Sequence, residues 1–296
     1  MKNHQLRALV QVAECSSIRA AARSMNLSQS ALTKALRELE EDVGAELMTR
    51  SYKGIEFTPA GMVLLSRARL ALSLLDKAAE EIRMLRGGAG AHVVIAVTPV
   101  AGALVLPRVL REYERLQPDA EVHLTEGLLT QVLPDLIEGR LDFAIAVAAP
   151  EDLPYEIVFE PLGPAEAVIA GRVGHPLATA TTWAELRNAK WVMNLSPGSL
   201  GRSLLAWLGE QGLEPPQHMI RCSSTMLMLE LMQRTDCIAI GPARLFEDRL
   251  VGYGIERIPV SPLPPPMQFG LLRLRAMPLS SAAKPMATLF ARYLGT

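Results

Sequence analysis

The sequence predicts an α+β / α/β multidomain fold that consists of a small helical domain with a β-hairpin, one long helix and two α/β subdomains. Three observations support it: three short amphipathic helical segments within the first 45 residues, an apolar repeat along residues 58–86, and alternating strand-like and helix-like segments after residue 92. The predicted domains are residues 1–57, 58–88 and 89–296. The third comprises subdomain I, about 89–161 and 267–296, and subdomain II, about 162–266.

The charge of the chain is unevenly distributed. The 296 residues are 49% hydrophobic and carry a net charge of −1, as expected of a globular protein with more than one core. Residues 1–37 hold six basic side chains and one acidic one, whereas residues 38–46 hold five acidic ones. The N-terminal segment is therefore a local basic patch, which is the feature that meets a phosphate backbone.

Several protein classes are excluded. The longest apolar stretch, residues 93–107, is shorter than the roughly 20 residues of a membrane-spanning helix. The first 25 residues lack an apolar core, so we expect no secretory signal and a soluble, cytoplasmic protein that does not contact a membrane. Cys15, Cys222 and Cys237 show no metal-ligand spacing and are predicted to be reduced thiols, with redox sensing by Cys222 and Cys237 left open.

The first forty residues predict a helix-turn-helix. Apolar positions predict a first helix over residues 4–14, and Ser17 and Ser28 are predicted to cap a second and a third helix. Alanines at the predicted contact let the second and third helices cross closely. In this geometry the second helix of the pair lies in the major groove of DNA.

The third helix presents polar side chains that suit base and phosphate recognition. Glutamine pairs with adenine, and arginine or lysine pairs with guanine. After Gly44, two extended runs flank a turn at Lys53-Gly54, which predicts a wing that carries Arg50 and Lys53 toward phosphate. The alternative is three core helices with ordinary surface charges. The outward-facing side chains of the third helix are Gln29, Ser30, Thr33, Lys34 and Arg37.

A long helix follows, with Thr58 as its N-cap and Pro59 in its first turn. Residues 58–86 would form a rod of about 43 Å at roughly 1.5 Å per residue. Apolar positions at 3-4 spacing predict a seam that pairs with a second copy of the chain, the alternative being packing within one chain. The seam residues are Leu65, Ala68, Leu72, Leu75, Ala79 and Ile82, and a hinge is predicted at residues 87–90.

The remaining residues predict two α/β halves with a cleft between them. Strands at 92–97, 121–125 and 142–147 alternate with helices at 100–116 and 128–138, which predicts a parallel open sheet. A second set has strands at 168–170, 191–194, 219–222 and 237–240 and helices at 182–186, 200–211 and 225–233. A strand at 267–274 and a helix at 281–293 would return to the first half.

Hydroxyl residues stand where several strands give way to helices, as at Thr98, Ser199 and Ser224. Helix starts at the carboxyl ends of strands favour anions such as carboxylates, although each hydroxyl can equally be a plain N-cap. No catalytic motif, metal site or cofactor motif is found, and we expect the protein not to be an enzyme. A solute-binding module and an enzyme that uses the same cleft remain as alternatives.

These residues together resemble the LysR-type transcriptional regulators. The resemblance is dense over residues 4–86 and looser beyond. Its motifs are SIRAAA at 17–22, LSQSALTKALRELE at 27–40, LMTR at 47–50, TPAG at 58–61, RLDFAI at 140–145 and HPLA at 175–178. Ser30 departs from the family, in which proline is common at this position, and this puts the base preference there in doubt.

The resemblance implies a winged helix-turn-helix, a dimerising linker helix and a periplasmic-binding-protein-like effector domain of two subdomains. It implies promoter DNA, a small-molecule effector such as a carboxylate or aromatic acid, and RNA polymerase as partners of a homodimer or homotetramer. The implied DNA-binding residues are Ser28, Gln29, Ser30, Thr33, Lys34, Arg37, Arg50 and Lys53, and the implied effector-binding residues are Thr98, Val100, Thr130, Ser196, Ser199 and Ser224.

Overall fold

The computed structural model describes residues 1–51, 54–86, 90–196, 198–246 and 254–295. The chain divides into two compact units, one of Met1–Ala91 with Pro134–Leu141 and one of His92–Leu133 with Asp142–Thr296. The three-domain division proposed from the sequence stays a prediction. Among the described residues, every helix is too short or too polar to span a bilayer.

The first unit begins with three helices and a hairpin, which are followed by one long helix. They are α1 Asn3–Cys15, α2 Ile18–Ser24, α3 Gln29–Val43, β1 Met48–Ser51, β2 Gly54–Phe57 and the long α4 Pro59–Leu85. Leu9, Leu32 and Leu39 are fully buried in the core between the helices. The predicted N-caps are confirmed, because Ser17 accepts from the backbone N–H of Ala20 and Ser28 from that of Ala31.

Helix α4 packs along α1 and against the segment Pro134–Leu141 of the same unit. Arg7 of α1 forms an ion pair with Asp76 of α4 at 2.6 Å. Both carboxylate oxygens of Glu138 accept from Arg69 Nη1, at 2.9 and 3.0 Å, and Ser73 Oγ donates to the carbonyl of Gly139 at 2.6 Å. These contacts hold the middle of α4 within its own chain.

The second unit contains two five-stranded sheets. Its elements are β3 His92–Val97, α5 Pro99–Leu116, β4 Glu121–Glu126, α6 Leu129–Ile137 (which runs into the first unit), β5 Phe143–Ala148, β6 Ile157–Ala165, β7 Ala167–Arg172, β8 Lys190–Met193, α7 Leu200–Glu210, β9 His218–Arg221, α8 Thr225–Arg234, β10 Cys237–Pro242, α9 Ala243–Leu245, β11 Ile255–Ile258, β12 Met267–Leu274 and α10 Ala283–Leu294. The strand orders are β4-β3-β5-β12-β6 and β11-β7-β10-β8-β9.

The parallel pairing predicted for the strands at residues 92–97, 121–125 and 142–147 is confirmed, and each complete sheet also contains antiparallel strands. In the first, β3 pairs in parallel with β4 and β5, but β12 is antiparallel to β5 and β6. In the second, β8, β9 and β10 are parallel, and β7 is antiparallel to β10 and β11. The predicted return of residues 267–274 to the first half is confirmed, since β12 lies between β5 and β6.

The helix predicted at residues 182–186 is wrong, since this stretch forms successive turns. The Glu185 carboxylate accepts from the backbone N–H groups of Thr181 and Thr182 and from the Thr182 hydroxyl, at 2.7 to 3.0 Å. The Trp183 indole N–H donates to the carbonyl of Pro262 at 2.6 Å. These side-chain and tertiary hydrogen bonds stabilise the stretch in its turn conformation.

Candidate functional site

The outer face of α3 forms an open polar groove in the first unit. Leu32, Leu36 and Leu39 turn into the core, so the opposite face of the helix is left to solvent. The groove is lined by Gln29, Ser30, Thr33, Lys34, Arg37, Glu38 and Glu41. Five of these were singled out as outward-facing from the sequence alone.

The polar side chains on this face of α3 make few hydrogen bonds or ion pairs that would keep them from contacting a ligand. The Thr33 hydroxyl donates to the carbonyl of Gln29 at 2.8 Å and keeps its acceptor lone pairs. Lys34 forms a loose ion pair with Glu38 at 3.8 Å, which is exposed and therefore weak. Arg37 is exposed and has no ion pair with any residue that the structure describes. This face offers donors that fit base edges and phosphates.

The predicted wing is an antiparallel hairpin in which Met48 pairs with Phe57 and Arg50 with Ile55. Arg50 lies on β1, and Lys53 lies outside the described residues. Ser28 is the remaining residue implied in DNA contact. It caps α3, and its Oγ lies 3.0 Å from the Oγ of Ser30.

The hairpin is tied to α4 at one close approach. Thr58 Oγ1 donates to the carbonyl of Glu46 at 2.7 Å and accepts from the backbone N–H of Gly61 at 3.0 Å. A side chain at Gly61 would place its Cβ only 1.9 Å from the carbonyl oxygen of Leu47. The TPAG motif thus lets the first turn of α4 pack on the backbone that precedes the wing.

The predicted seam of α4 is divided by the fold. Leu65 and Ala68 are buried in the core with α1, and Leu72 is also buried, so this half of the seam is covered by the chain itself. Leu75, Ala79 and Ile82 are exposed, with 55% of Leu75 and 58% of Ile82 open to solvent. The seam as a dimer interface stays a prediction, and only its second half is free to make one. The hinge expected at residues 87–90 lies mostly outside the described residues.

The second unit contains a cavity of about 120 Å³ between its two sheets. The N-terminal turns of α5 and α7 and one face of α8 form much of its wall. The lining residues are Thr98, Pro99, Val100, Leu128, Leu129, Val147, Ala165, Met193, Asn194, Gly198, Ser199, Leu200, Gly201, Thr225, Met228, Leu229, Met232, Ala239, Ile240, Gly241, Pro242, Leu245, Phe246 and Phe269. This wall is mostly apolar and contains no Lys, Arg, Asp or Glu among the described residues.

Two hydroxyls of the cavity wall differ in their hydrogen bonds. Ser199 Oγ donates to the carbonyl of Asn194 at 2.7 Å and accepts from the backbone N–H of Arg202 at 3.3 Å. Thr98 is only 6% exposed, and its Oγ1 has no hydrogen-bond partner among the described residues. Thr98 is also the N-cap of α5, yet its side chain makes no cap bond there. A buried hydroxyl without a partner costs free energy, which a ligand could recover.

Of the predicted effector-binding residues, Thr98, Val100 and Ser199 line the cavity. Thr130 is exposed on α6, and Ser196 and Ser224 are half-buried; none of the three belongs to the described lining. Sequence reasoning missed the apolar wall, including Met228, Met232 and Phe269. The i, i+4 spacing of the two methionines on α8 was the available signal for part of it.

Comparisons with known proteins identify both units by family. Residues 3–62 match the model of the bacterial regulatory helix-turn-helix protein, lysR family, and residues 86–295 match the LysR substrate binding domain. The chain is 25% identical over 295 residues to the HTH-type transcriptional regulator TdcA of Escherichia coli strain K12. The aligned region covers 99% of this chain and 93% of TdcA.

Solved structures share the fold along nearly the whole chain. A full-length OxyR variant from Pseudomonas aeruginosa superimposes with a TM-score of 0.72 at 18% identity, covering 98% of this chain and 94% of that one. Full-length CbnR, solved in complex with its target DNA, superimposes with a TM-score of 0.67 at 21% identity and covers 99% of both chains. At these identities the likeness is one of fold.

Proposed function

This chain belongs to the LysR family of transcriptional regulators, and from that premise we propose which of its residues meet promoter DNA and which meet the effector. As a member of the family it is a DNA-binding regulator with an effector-binding domain, and not an enzyme. We place its action in the cytoplasm, where promoter DNA is transcribed, with RNA polymerase as a further partner at the promoter.

We propose that α3 enters the major groove with Gln29, Ser30 and Arg37 toward the base edges and Ser28, Thr33 and Lys34 toward phosphate. The polar groove along this face carries the proposal, because donors suited to bases and phosphates lie side by side on a helix whose other face is buried. The complex of CbnR with its target DNA shows that a chain of this fold binds DNA. Arg50 and Lys53 of the wing are proposed phosphate contacts.

Substitution of Arg37 tests this assignment. Double-stranded sites are first selected from a random pool with the full-length chain, and binding to a selected site is then measured by gel shift at several salt concentrations. Because Arg37 is proposed to contact a base edge, Arg37→Ala is expected to reduce the binding free energy for the selected site by roughly 1–3 kcal/mol. Its sequence preference should also be relaxed at one base pair. Lys34→Ala is expected to weaken all sites alike and to reduce the salt slope by about 0.9.

The matched control is Arg115→Ala, since Arg115 is an exposed helical arginine of the second unit. It should bind the selected site as the parent chain does. If Arg37→Ala binds with unchanged affinity and sequence preference, the role assigned to Arg37 is wrong.

We propose that the effector is a small, largely apolar molecule with one carboxylate or carbonyl end, bound in the cavity of the second unit. The unpartnered hydroxyl of Thr98 supports a ligand with a hydrogen-bonding end. The helix starts at Thr98 and Ser199 favour a partial negative charge, and the apolar wall excludes a ligand with several charges. Benzoate and its amide are suitable probes for the two kinds of polar end.

Thr98→Val separates binding from stability. Valine keeps the shape of threonine and removes a hydroxyl that has no partner among the residues the structure describes, so the ligand-free variant should unfold at the same temperature as the parent chain or higher. The rise in Tm that benzoate or benzamide gives should be lost in this variant. Thr130→Val is the control because Thr130 is exposed outside the cavity, and it should keep that rise. If Thr98→Val responds to the probes as the parent does, Thr98 does not bind the effector.

A further inference from the structure

Three side chains with metal-binding atoms meet at one edge of the first sheet, away from the cavity wall. His92 begins β3, and Glu121 and His123 belong to β4, the edge strand of that sheet. His92 is paired with Glu121 and Val94 with His123 in the parallel register. Since paired residues and alternate residues of a strand share a face, all three side chains project from the same side of the sheet.

Their functional atoms are close enough to share one ion. His123 Nε2 lies 3.0 Å from Glu121 Oε1, and the two imidazole rings are 4.6 Å apart in an edge-to-face arrangement. One donor atom from each of the three residues lies within 4.8 Å of the others. His123 and Glu121 are exposed and His92 is half-buried, so an ion in solution can reach them and small χ rotations can draw the donors together.

The donor set selects the class of ion. Imidazole nitrogen suits Zn²⁺, Cu²⁺, Ni²⁺ and Co²⁺, whereas Mg²⁺ and Ca²⁺ prefer oxygen ligands. Two imidazoles and one carboxylate are a common set for zinc, with a water molecule in the fourth position.

We propose that His92, Glu121 and His123 form a binding site for one divalent transition-metal ion, with Zn²⁺ as its representative. The ion would join the first residue of β3 to the edge strand β4, which is paired with β3 alone within its sheet. Because the site requires the folded pairing of these two strands, binding stabilises the folded chain by an amount that grows with the logarithm of the ion concentration above Kd.

The proposal is tested on the full-length chain, freed of metal with a chelator and titrated calorimetrically with ZnCl₂. We expect one ion per chain and a rise in Tm with zinc. His92→Ala and His123→Ala should each weaken binding more than about tenfold, since even the loss of an outer hydrogen bond to a metal ligand costs about 10- to 100-fold. His218→Ala is the matched control, because His218 is an exposed histidine on another edge strand, β9, and should bind zinc as the parent does.

The three free thiols are the competing zinc ligands in this chain. Replacing Zn²⁺ by Co²⁺ distinguishes them, because thiolate ligation gives a sulfur-to-cobalt charge-transfer band in the near ultraviolet and imidazole or carboxylate ligation does not. We expect a cobalt spectrum without this band. The proposal is overturned if binding is not saturable, if both histidine variants bind zinc as tightly as the parent, or if the thiolate band dominates.

Discussion

At the scale of single residues, the cavity shows why a residue type alone does not define a binding group. Thr98 and Ser199 are both hydroxyl residues at helix starts, and the sequence treats them alike. Within the described part of the chain, Ser199 has a donor and an acceptor partner, whereas Thr98 Oγ1 has neither. The difference depends on the carbonyl of Asn194, which the end of β8 brings next to Ser199.

The alkaline stability of the protein depends on Tyr113, a fully buried side chain of α5 whose hydroxyl donates to the carbonyl of Ala282 at 3.1 Å. Burial and the neighbouring Asp142 carboxylate raise the pKa of Tyr113 from 10.0 to about 12. A raised pKa in the folded state means that this contribution to stability is complete below pH 10 and is lost as the pH rises toward 12.

Tyr113→Phe should therefore flatten the fall in the free energy of unfolding above pH 10. At pH 8 the variant should be less stable by about 1 kcal/mol because the hydrogen bond to Ala282 is lost. Urea unfolding followed by circular dichroism at pH 8 to 11.5 measures both effects. Tyr155→Phe serves as the control, since Tyr155 is 82% exposed, and an equal alkaline slope in the parent and Tyr113→Phe would refute the role of burial.

At the scale of the elements, most helices and strands were predictable, including the edge strands β4 and β9, but the edge strands β6 and β11 were not. Strand β6 contains Pro161 and Pro164, which argue against a strand in any sequence analysis. Proline is tolerated there because β6 is an edge of its sheet, where an N–H on the side away from the neighbouring strand has no ladder bond to lose. Strand β11, another edge, has only four residues. Short or proline-containing segments become strands because a neighbour pairs with them.

The junction of α4 with the hairpin predicts that replacing glycine by alanine destabilises the chain at Gly61, whereas the same replacement at Gly209 stabilises it. Gly61→Ala places a methyl group 1.9 Å from the carbonyl oxygen of Leu47, so the first turn of α4 must shift. We expect a loss of about 1–3 kcal/mol in the free energy of unfolding and weaker DNA binding, as the wing is displaced.

Gly209→Ala is the matched control for this change. Gly209 lies within α7, and a Cβ there meets no atom within 4 Å, so alanine should stabilise the chain by roughly 0.5–1 kcal/mol through its helix propensity. Thermal unfolding of both variants decides the matter. A Gly61→Ala chain as stable as the parent would show that the close approach at Leu47 carries no energetic weight.

At the scale of the whole molecule, association is predicted to use the exposed half of the α4 seam. Leu75 and Ile82 are large apolar side chains with more than half of their surface open to solvent, and Ala79 lies between them. Such positions at helical spacing gain free energy when a second helix covers them. The family resemblance implies the same partner, a second copy of this chain, in a homodimer or homotetramer.

Glutamate at both positions, Leu75→Glu with Ile82→Glu, should lower the oligomeric mass in sedimentation velocity while leaving the circular dichroism spectrum unchanged, because neither side chain belongs to the core. Val173→Glu, which replaces an exposed apolar residue of a turn in the second unit, should keep the parent mass. Unchanged sedimentation of the double variant would exclude this half of α4 as the interface.

The helix-turn-helix with its caps, the hairpin, the long helix and the alternation of strands and helices could be predicted from sequence, because they depend on spacing and capping within a few turns of chain. Three features could not: the mixed direction of the two sheets, the burial of Leu65 and Ala68 against α1, and the choice of hydroxyls that line the cavity. Each of these depends on segments distant in sequence. Strand pairing, the burial of a side chain and the hydrogen bonding of a hydroxyl each depend on two segments in contact. A local sequence pattern describes only one of the two segments.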